Sequence, residues 1–235
     1  MLKRFLDFFS FFMIVIAIVC SSGCTPNSGA DGKPARPRGG EAAFAHGFSP
    51  AYGGIMVTGS IGDASVLLPV LATDAPSRDI ARLIFNGLVK YDKDAKLVPD
   101  LAEKWEILDD NRRIRFHLRK DVQWHDGMPF TSADVDYTYR VYADPRTPTA
   151  WATDYLKVDR FHCLDDHTLE VTYKEPYSPA LESWSEGVLP SHLLEGTSIT
   201  KSPLQRNPVG TGPYRFDDWT SGEKIVLSSN QDYFE

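Results

Sequence analysis

Trp124-His125-Asp126-Gly127 carries the residue types of a general acid–base pair. An imidazole beside a carboxylate can take up and return a proton near neutral pH. The same four residues are also turn chemistry, because Asp-Gly closes a reverse turn and Met128-Pro129 then leads towards a helix start. The turn is the better reading, since no motif marks a nucleophile. The chain has no G-x-S-x-G elbow, no H-E-x-x-H, no G-x-x-x-x-G-K-[ST] and no G-x-G-x-x-G. His46, His117, His125, His162, His167 and His192 are dispersed, and the turn between His162 and His167 argues against a shared metal. No metal and no cofactor is expected. Trp151 and Tyr155 lie on a polar connection after Asp144-Pro145, where large aromatics either anchor a core or line a binding cleft. Position alone leaves both open.

These groups need a folded body to hold them, and the composition provides for one: 235 residues, 42% apolar and 12% aromatic. The net charge of −7 argues against nucleic acid, which calls for a basic face. The first residues are set apart from this body. Lys3 and Arg4 precede the apolar run Phe8–Cys20, and Ser21-Ser22-Gly23-Cys24 follows. The run is too short for a membrane span of roughly 20 residues, so residues 1–24 read as an export signal. A cysteine after small residues resembles a bacterial lipoprotein signal, with Cys24 as the lipidated residue; Ser21 stands where such signals usually carry Leu. Residues 25–49, opening on TPNSGADGKPARPRGG, are too poor in large apolar groups to bury surface and read as a flexible tether. After removal of Cys20 and acylation of Cys24, Cys163 would be the remaining cysteine, read as a small buried hydrophobe.

Within the body, Gly54–Gly59 reads as a short buried strand. Ser77 is a candidate cap for a helix through about Phe85, ended by Asn86-Gly87. Lys104–Leu108 and Arg112–Leu118 pair around Asp109-Asp110-Asn111. In the second of these, Ile114, Phe116 and Leu118 alternate with Arg113, Arg115 and His117, as a half-buried strand requires. Thr131–Asp134 has capping-box spacing and begins a helix through about Tyr142. Val158–Leu164 with Thr168–Tyr173, and Tyr214–Trp219 with Lys224–Ser229, form two further hairpins. Helices and strands mixed without strict alternation give an α/β (mixed α+β) fold class.

An ordered series of short motifs then accumulates: Leu83-Ile84-Phe85-Asn86-Gly87-Leu88-Val89, Val98-Pro99-Asp100-Leu101-Ala102, Trp124-His125-Asp126-Gly127-Met128-Pro129-Phe130-Thr131, Asp165-Asp166-His167-Thr168-Leu169, Asn207-Pro208-Val209-Gly210-Thr211-Gly212-Pro213-Tyr214 and Asn230-Gln231-Asp232-Tyr233-Phe234. In order and spacing, over roughly residues 50 to 235, the chain resembles the family 5 extracellular solute-binding proteins, the oligopeptide- and dipeptide-binding components of bacterial ABC importers. The resemblance implies the first lobe of a two-lobed periplasmic-binding-protein-like fold that closes on its ligand. Residues 50–75 and 190–235 would form its main part, and 76–189 an inserted α+β subdomain. The second lobe would be missing, so that this chain alone would bind peptide weakly or not at all.

The resemblance further implies a peptide ligand held partly by backbone pairing, which tolerates many sequences. The backbone-pairing segment falls on Thr73-Asp74-Ala75, and the aromatic facing the ligand on Trp151, with Tyr155 close by. The implied partners are a peptide, ABC permease subunits, and the membrane through the lipid anchor. The protein would be a monomer on the extracytoplasmic face of the envelope, in the periplasm where one exists, and not an enzyme. Some relatives take nickel complexes, haem, opines or sugars, so ligand class does not follow from fold. Two rivals stay open: an exported hydrolase using the His125/Asp126 region, and a membrane-tethered interaction module that does not transport.

Overall fold

The computed structural model describes residues 53–235. Residues 1–24, read above as an export signal ending at Cys24, and residues 25–49, read as a tether, lie outside the described residues, and the compact unit runs Met56–Glu235. The elements of that unit run α1 (Ala75–Ile84), β1 (Val89–Tyr91), β2 (Leu97–Pro99), β3 (Ala102–Leu108), β4 (Arg113–Leu118), α2 (Ser132–Ala143), α3 (Ala152–Tyr155), β5 (Val158–Asp165), β6 (Thr168–Tyr173), α4 (Ser191–Leu194), β7 (Tyr214–Thr220) and β8 (Lys224–Ser229), with short 3-10 turns between β6 and β7. Three antiparallel sheets result: β1-β2, the four-stranded β3-β4-β6-β5, and β7-β8.

The four-stranded sheet carries the core. β4 sits between β3 and β6, with Phe116 opposite Leu169 and Ile114 opposite Val171. Its alternation is strict: Ile114, Phe116 and Leu118 are buried while Arg113, Arg115 and His117 face out. Burying one such large apolar side chain contributes about 1.5–3 kcal/mol. On the outer face Arg115 is held by Glu170, 2.6 Å away, and His117 by Glu106 at 2.7 Å. The β3–β4 turn places Asp109, Asp110 and Asn111 at φ 52°, 51° and 68°. Short polar side chains tolerate that left-handed region better than others, which is why the turn is built from them.

Three local expectations are corrected. The cap of α1 lies three residues before Ser77, because Asp74 is the N-cap, accepting the Ser77 N–H at 2.8 Å, and Pro76 in the first turn needs no donor. Ser77 is instead buried inside the helix. Gly54–Gly59 is not a buried strand. Ile55, Met56 and Val57 are 94%, 86% and 88% exposed, because no neighbouring strand among the described residues supplies a ladder for them. Cys163 is half-buried rather than buried; its thiol lies 3.4 Å from the Ser132 carbonyl, and burial pushes its pKa up, the opposite of an activated thiol.

A buried polar knot joins four segments distant in sequence. The Asn86 amide donates to both Asp100 carboxylate oxygens, at 2.9 and 3.1 Å, and lies 3.2 Å from the Tyr233 hydroxyl. Thr211 Oγ1 donates to Asn86 Oδ1 at 3.1 Å. Asp100 is 2% exposed, and its burial outweighs the Asn86 bond and the Lys90 charge, pushing its carboxyl from 3.8 to about 6. The folded chain therefore holds a proton over an interval where the unfolded chain has lost it. The resulting stabilisation is complete below pH 3.8 and is lost as the pH rises through about 6, a change of about 3 kcal/mol. Asp100→Asn keeps a neutral group there at every pH. It is expected to fall below the parent near pH 4, where its NH2 faces the Asn86 donor, but to lack the parent's loss of about 2–3 kcal/mol between pH 4 and pH 7. Urea midpoints of both chains across that range check this, and parallel curves would refute it.

Candidate ligand-binding surface

The Trp124-His125-Asp126-Gly127 segment is a turn clipped to the Gly210–Gly212 loop. The Gly127 N–H reaches the Trp124 carbonyl at 2.8 Å, with Gly127 at φ +87°, and the Trp124 N–H reaches Met128 at 2.8 Å. Both His125 nitrogens face backbone: Nδ1 accepts the Gly210 N–H at 3.3 Å, so Nε2 carries the proton and donates to the Gly212 carbonyl at 3.0 Å. Burial holds the His125 pKa below its usual value despite the Gly212 bond. Asp126 pairs with His192, 2.7 Å away, and not with His125. The acid–base pair suggested by adjacency in sequence is therefore not assembled. Its imidazole is committed to holding two loops together.

The Thr73-Asp74-Ala75 strip forms the entry to α1. Thr73 and Ala75 are exposed, and the Thr73 backbone N–H and C=O have no hydrogen-bond partner among the described residues. Asp74 is fixed by Ser65 Oγ at 2.5 Å and Ser77 Oγ at 2.8 Å. Burial raises its carboxyl, but these bonds outweigh it and hold the pKa below the ordinary carboxylate value.

Further along α1 the surface folds into a cleft. Ala72, Ala81 and Phe85 form its floor, and Arg78, Arg82 and Glu186 stand around it. Glu186 is half-buried, and burial pushes its carboxyl up against the opposing pull of Arg82 and then Arg78. Beneath Glu186 lies an aromatic stack. Tyr142 and Tyr155 lie face to face with centroids 4.6 Å apart, and Trp151 meets Tyr142 edge-on at 6.5 Å. Burial and then, for Tyr155, the Glu186 charge raise the hydroxyl pKa; for Tyr142 burial leads as well, with Tyr155 and Glu186 adding to it.

The structure thus treats the two suggested aromatics differently. Trp151 is half-buried and keeps an accessible edge. Tyr155 is 2% exposed, donates its hydroxyl to the Ser183 carbonyl at 2.8 Å and stacks on the fully buried Tyr142, so it is a core side chain. The cleft residues Arg78, Arg82 and Glu186 were not singled out from the sequence. The four-residue spacing of the arginines on one helix was the available signal, but Glu186 arrives from more than a hundred residues away.

Comparison with known proteins agrees with this architecture. The model of the Bacterial extracellular solute-binding proteins, family 5 Middle, matches residues 96–235. The oligopeptide-binding protein AppA of Bacillus subtilis is 29% identical over 236 residues, covering 95% of this chain and 40% of that protein. NikZ from Campylobacter jejuni, solved in complex with Ni(L-His), superposes with a TM-score of 0.69 at 31% identity over 72% of this chain and 34% of its own. The ABC transporter-associated periplasmic binding protein DppA from Helicobacter pylori, in complex with peptide STSA, superposes with a TM-score of 0.67 at 30% identity over 74% of this chain and 38% of its own. The chain spans about two fifths or less of the length of these relatives. The relatives are substrate-binding proteins rather than enzymes. With the family model matching well over half of its residues, on a fold shared with periplasmic binding proteins, this chain belongs to the family 5 bacterial extracellular solute-binding proteins.

Proposed function

We propose that the chain is the ligand-capturing part of an ABC importer, taking up peptides outside the cytoplasmic membrane and passing them to a permease without making or breaking a bond. Cys24 anchors it through lipid, and it acts as a monomer. Residues 50–75 and 190–235 form the main part of its first lobe and 76–189 the inserted subdomain. The peptide backbone pairs along Thr73-Asp74-Ala75, Trp151 packs against a ligand side chain, and Tyr155 backs Trp151.

The observation that carries this reading is the Thr73 backbone, exposed, without a partner among the described residues, and next in sequence to Ala72 of the cleft. An extended peptide satisfies such groups whatever its side chains. The surface described is open, so a peptide resting on it keeps much of its water. The usual ligand site buries 70–90% of its ligand, and a shallow wall gives a dissociation constant of about 1 mM, equivalent to about −4 kcal/mol. Titration of the isotope-labelled full chain in detergent with an acetylated tripeptide amide is expected to shift the Thr73 and Ala75 amide resonances and the Trp151 indole. Shifts confined to other regions, or none at millimolar peptide, would overturn the reading.

A further inference from the structure

The cleft beside α1 is lined by two arginines and one glutamate. Arg78 and Arg82 lie one helical turn apart, both exposed at its edge, and neither has a carboxylate within 4 Å among the described residues. Elsewhere on the same unit Arg113 and Arg115 pair with Glu170, Arg140 with Asp136, Arg146 with Asp144 and Arg215 with Asp232, while Arg112 bonds backbone carbonyls and Arg206 stacks on Trp219. Glu186 is the carboxylate nearest in effect, since Arg82 and Arg78 act on it through charge, yet no ion pair closes between them. It accepts no hydrogen bond from any described residue. With all three ionised, the cleft carries one net positive charge over an apolar floor.

Resting on the peptide-capture reading, we propose that this cleft is a subsite for a ligand carboxylate, held by Arg82 and Arg78 and restrained by Glu186. Guanidinium groups present planar pairs of donors that match a carboxylate, and both line this one cleft from successive turns of α1. Glu186 stands too far to fill that role and too close to be neutral towards it. It repels an incoming carboxylate and so sets the strength of the preference. The carboxylate can come from an acidic side chain or from a free peptide C-terminus; both offer the same two oxygens.

Four acetylated tripeptides separate these sources on the full chain in detergent: Ala-Glu-Ala amide, Ala-Ala-Ala free acid, Ala-Gln-Ala amide and Ala-Lys-Ala amide. One or both of the carboxylate-bearing peptides is expected to bind about fivefold more tightly than the Gln peptide, and which one does so identifies the source. Arg82→Gln combined with Arg78→Gln should bring that ratio to about one, whereas Glu186→Gln should raise it. Equal affinities for the acidic and Gln peptides, or a ratio untouched by the arginine changes, overturns the subsite while leaving peptide capture standing. If no tripeptide binds, peptide capture fails, and the subsite is decided by glutarate alone. Glutarate should then shift the Arg78 and Arg82 side-chain Nε–H resonances, and their remaining still would refute it.

Discussion

Gly210→Ala is expected to unfold the protein or to cost about 4 kcal/mol or more, a loss comparable with the whole stability of a marginal domain. A Cβ at this position would lie 1.9 Å from the Ile84 carbonyl oxygen and 2.7 Å from its carbon. Both are backbone atoms at the end of α1, so no side chain can swing aside. That same carbonyl accepts the Gly212 N–H at 2.8 Å, and Gly210 exchanges backbone and side-chain bonds with His125 at 2.8 and 3.3 Å. Pushing the loop away from α1 breaks all three contacts at once and leaves buried backbone groups without partners. Gly196 supplies the contrast: its φ is +77°, but nothing lies within 4 Å of where its Cβ would be. Gly196→Ala should cost only about 1 kcal/mol, the strain of a left-handed alanine. Urea unfolding of both variants checks the pair. If Gly210→Ala costs no more than Gly196→Ala, close approach is not what this glycine provides.

The same loop shows what can be read from residues alone. The three long hairpins, and the α2 helix up to about its last turn, announce themselves through alternation and capping, which are local properties. The glycines of Gly210-Thr211-Gly212 look like ordinary turn residues in sequence; that they let a loop lie against the end of α1 depends on Ile84, far away in the chain. Gly54–Gly59 is apolar enough for a strand, but an apolar run cannot say whether a partner is present to complete its ladder. Asp126 illustrates the site. Its neighbour His125 invites pairing, whereas its actual partner, His192, is sixty-six residues on. Thr73-Asp74-Ala75 and Trp151 came from a family pattern. The charges of Arg78, Arg82 and Glu186 did not, because a cleft between a helix and a distant loop has no signature in either segment.

Asp134 should be nearly irreplaceable, even by its isostere. Its carboxylate is 2% exposed and receives four donors: the Thr131 N–H at 3.0 Å and Trp124 Nε1 at 3.3 Å on Oδ2, and the Ser191 N–H at 3.1 Å and Ser191 hydroxyl at 2.6 Å on Oδ1. Both oxygens are thus fully committed as acceptors, and the charge sits in the first turn of α2, where the helix dipole favours it. An asparagine keeps one oxygen but turns an NH2 group towards two donors, whichever way it is placed. Asp134→Asn is therefore expected to cost about 2–4 kcal/mol, approaching the loss from Asp134→Ala, which leaves all four donors unpaired. A merely space-filling aspartate would tolerate asparagine within about 0.5 kcal/mol, and that result in urea unfolding would refute the argument. The effect should also reach the ligand surface. Asp134 ties α2 to the Trp124 turn and to the start of α4, and α2 carries Tyr142 at its far end, beneath Trp151. Loosening the first turn frees the helix that presents the aromatic stack. In folded Asp134→Asn protein the Trp151 indole resonance should therefore broaden or shift, although the substitution lies two helical turns away from Tyr142.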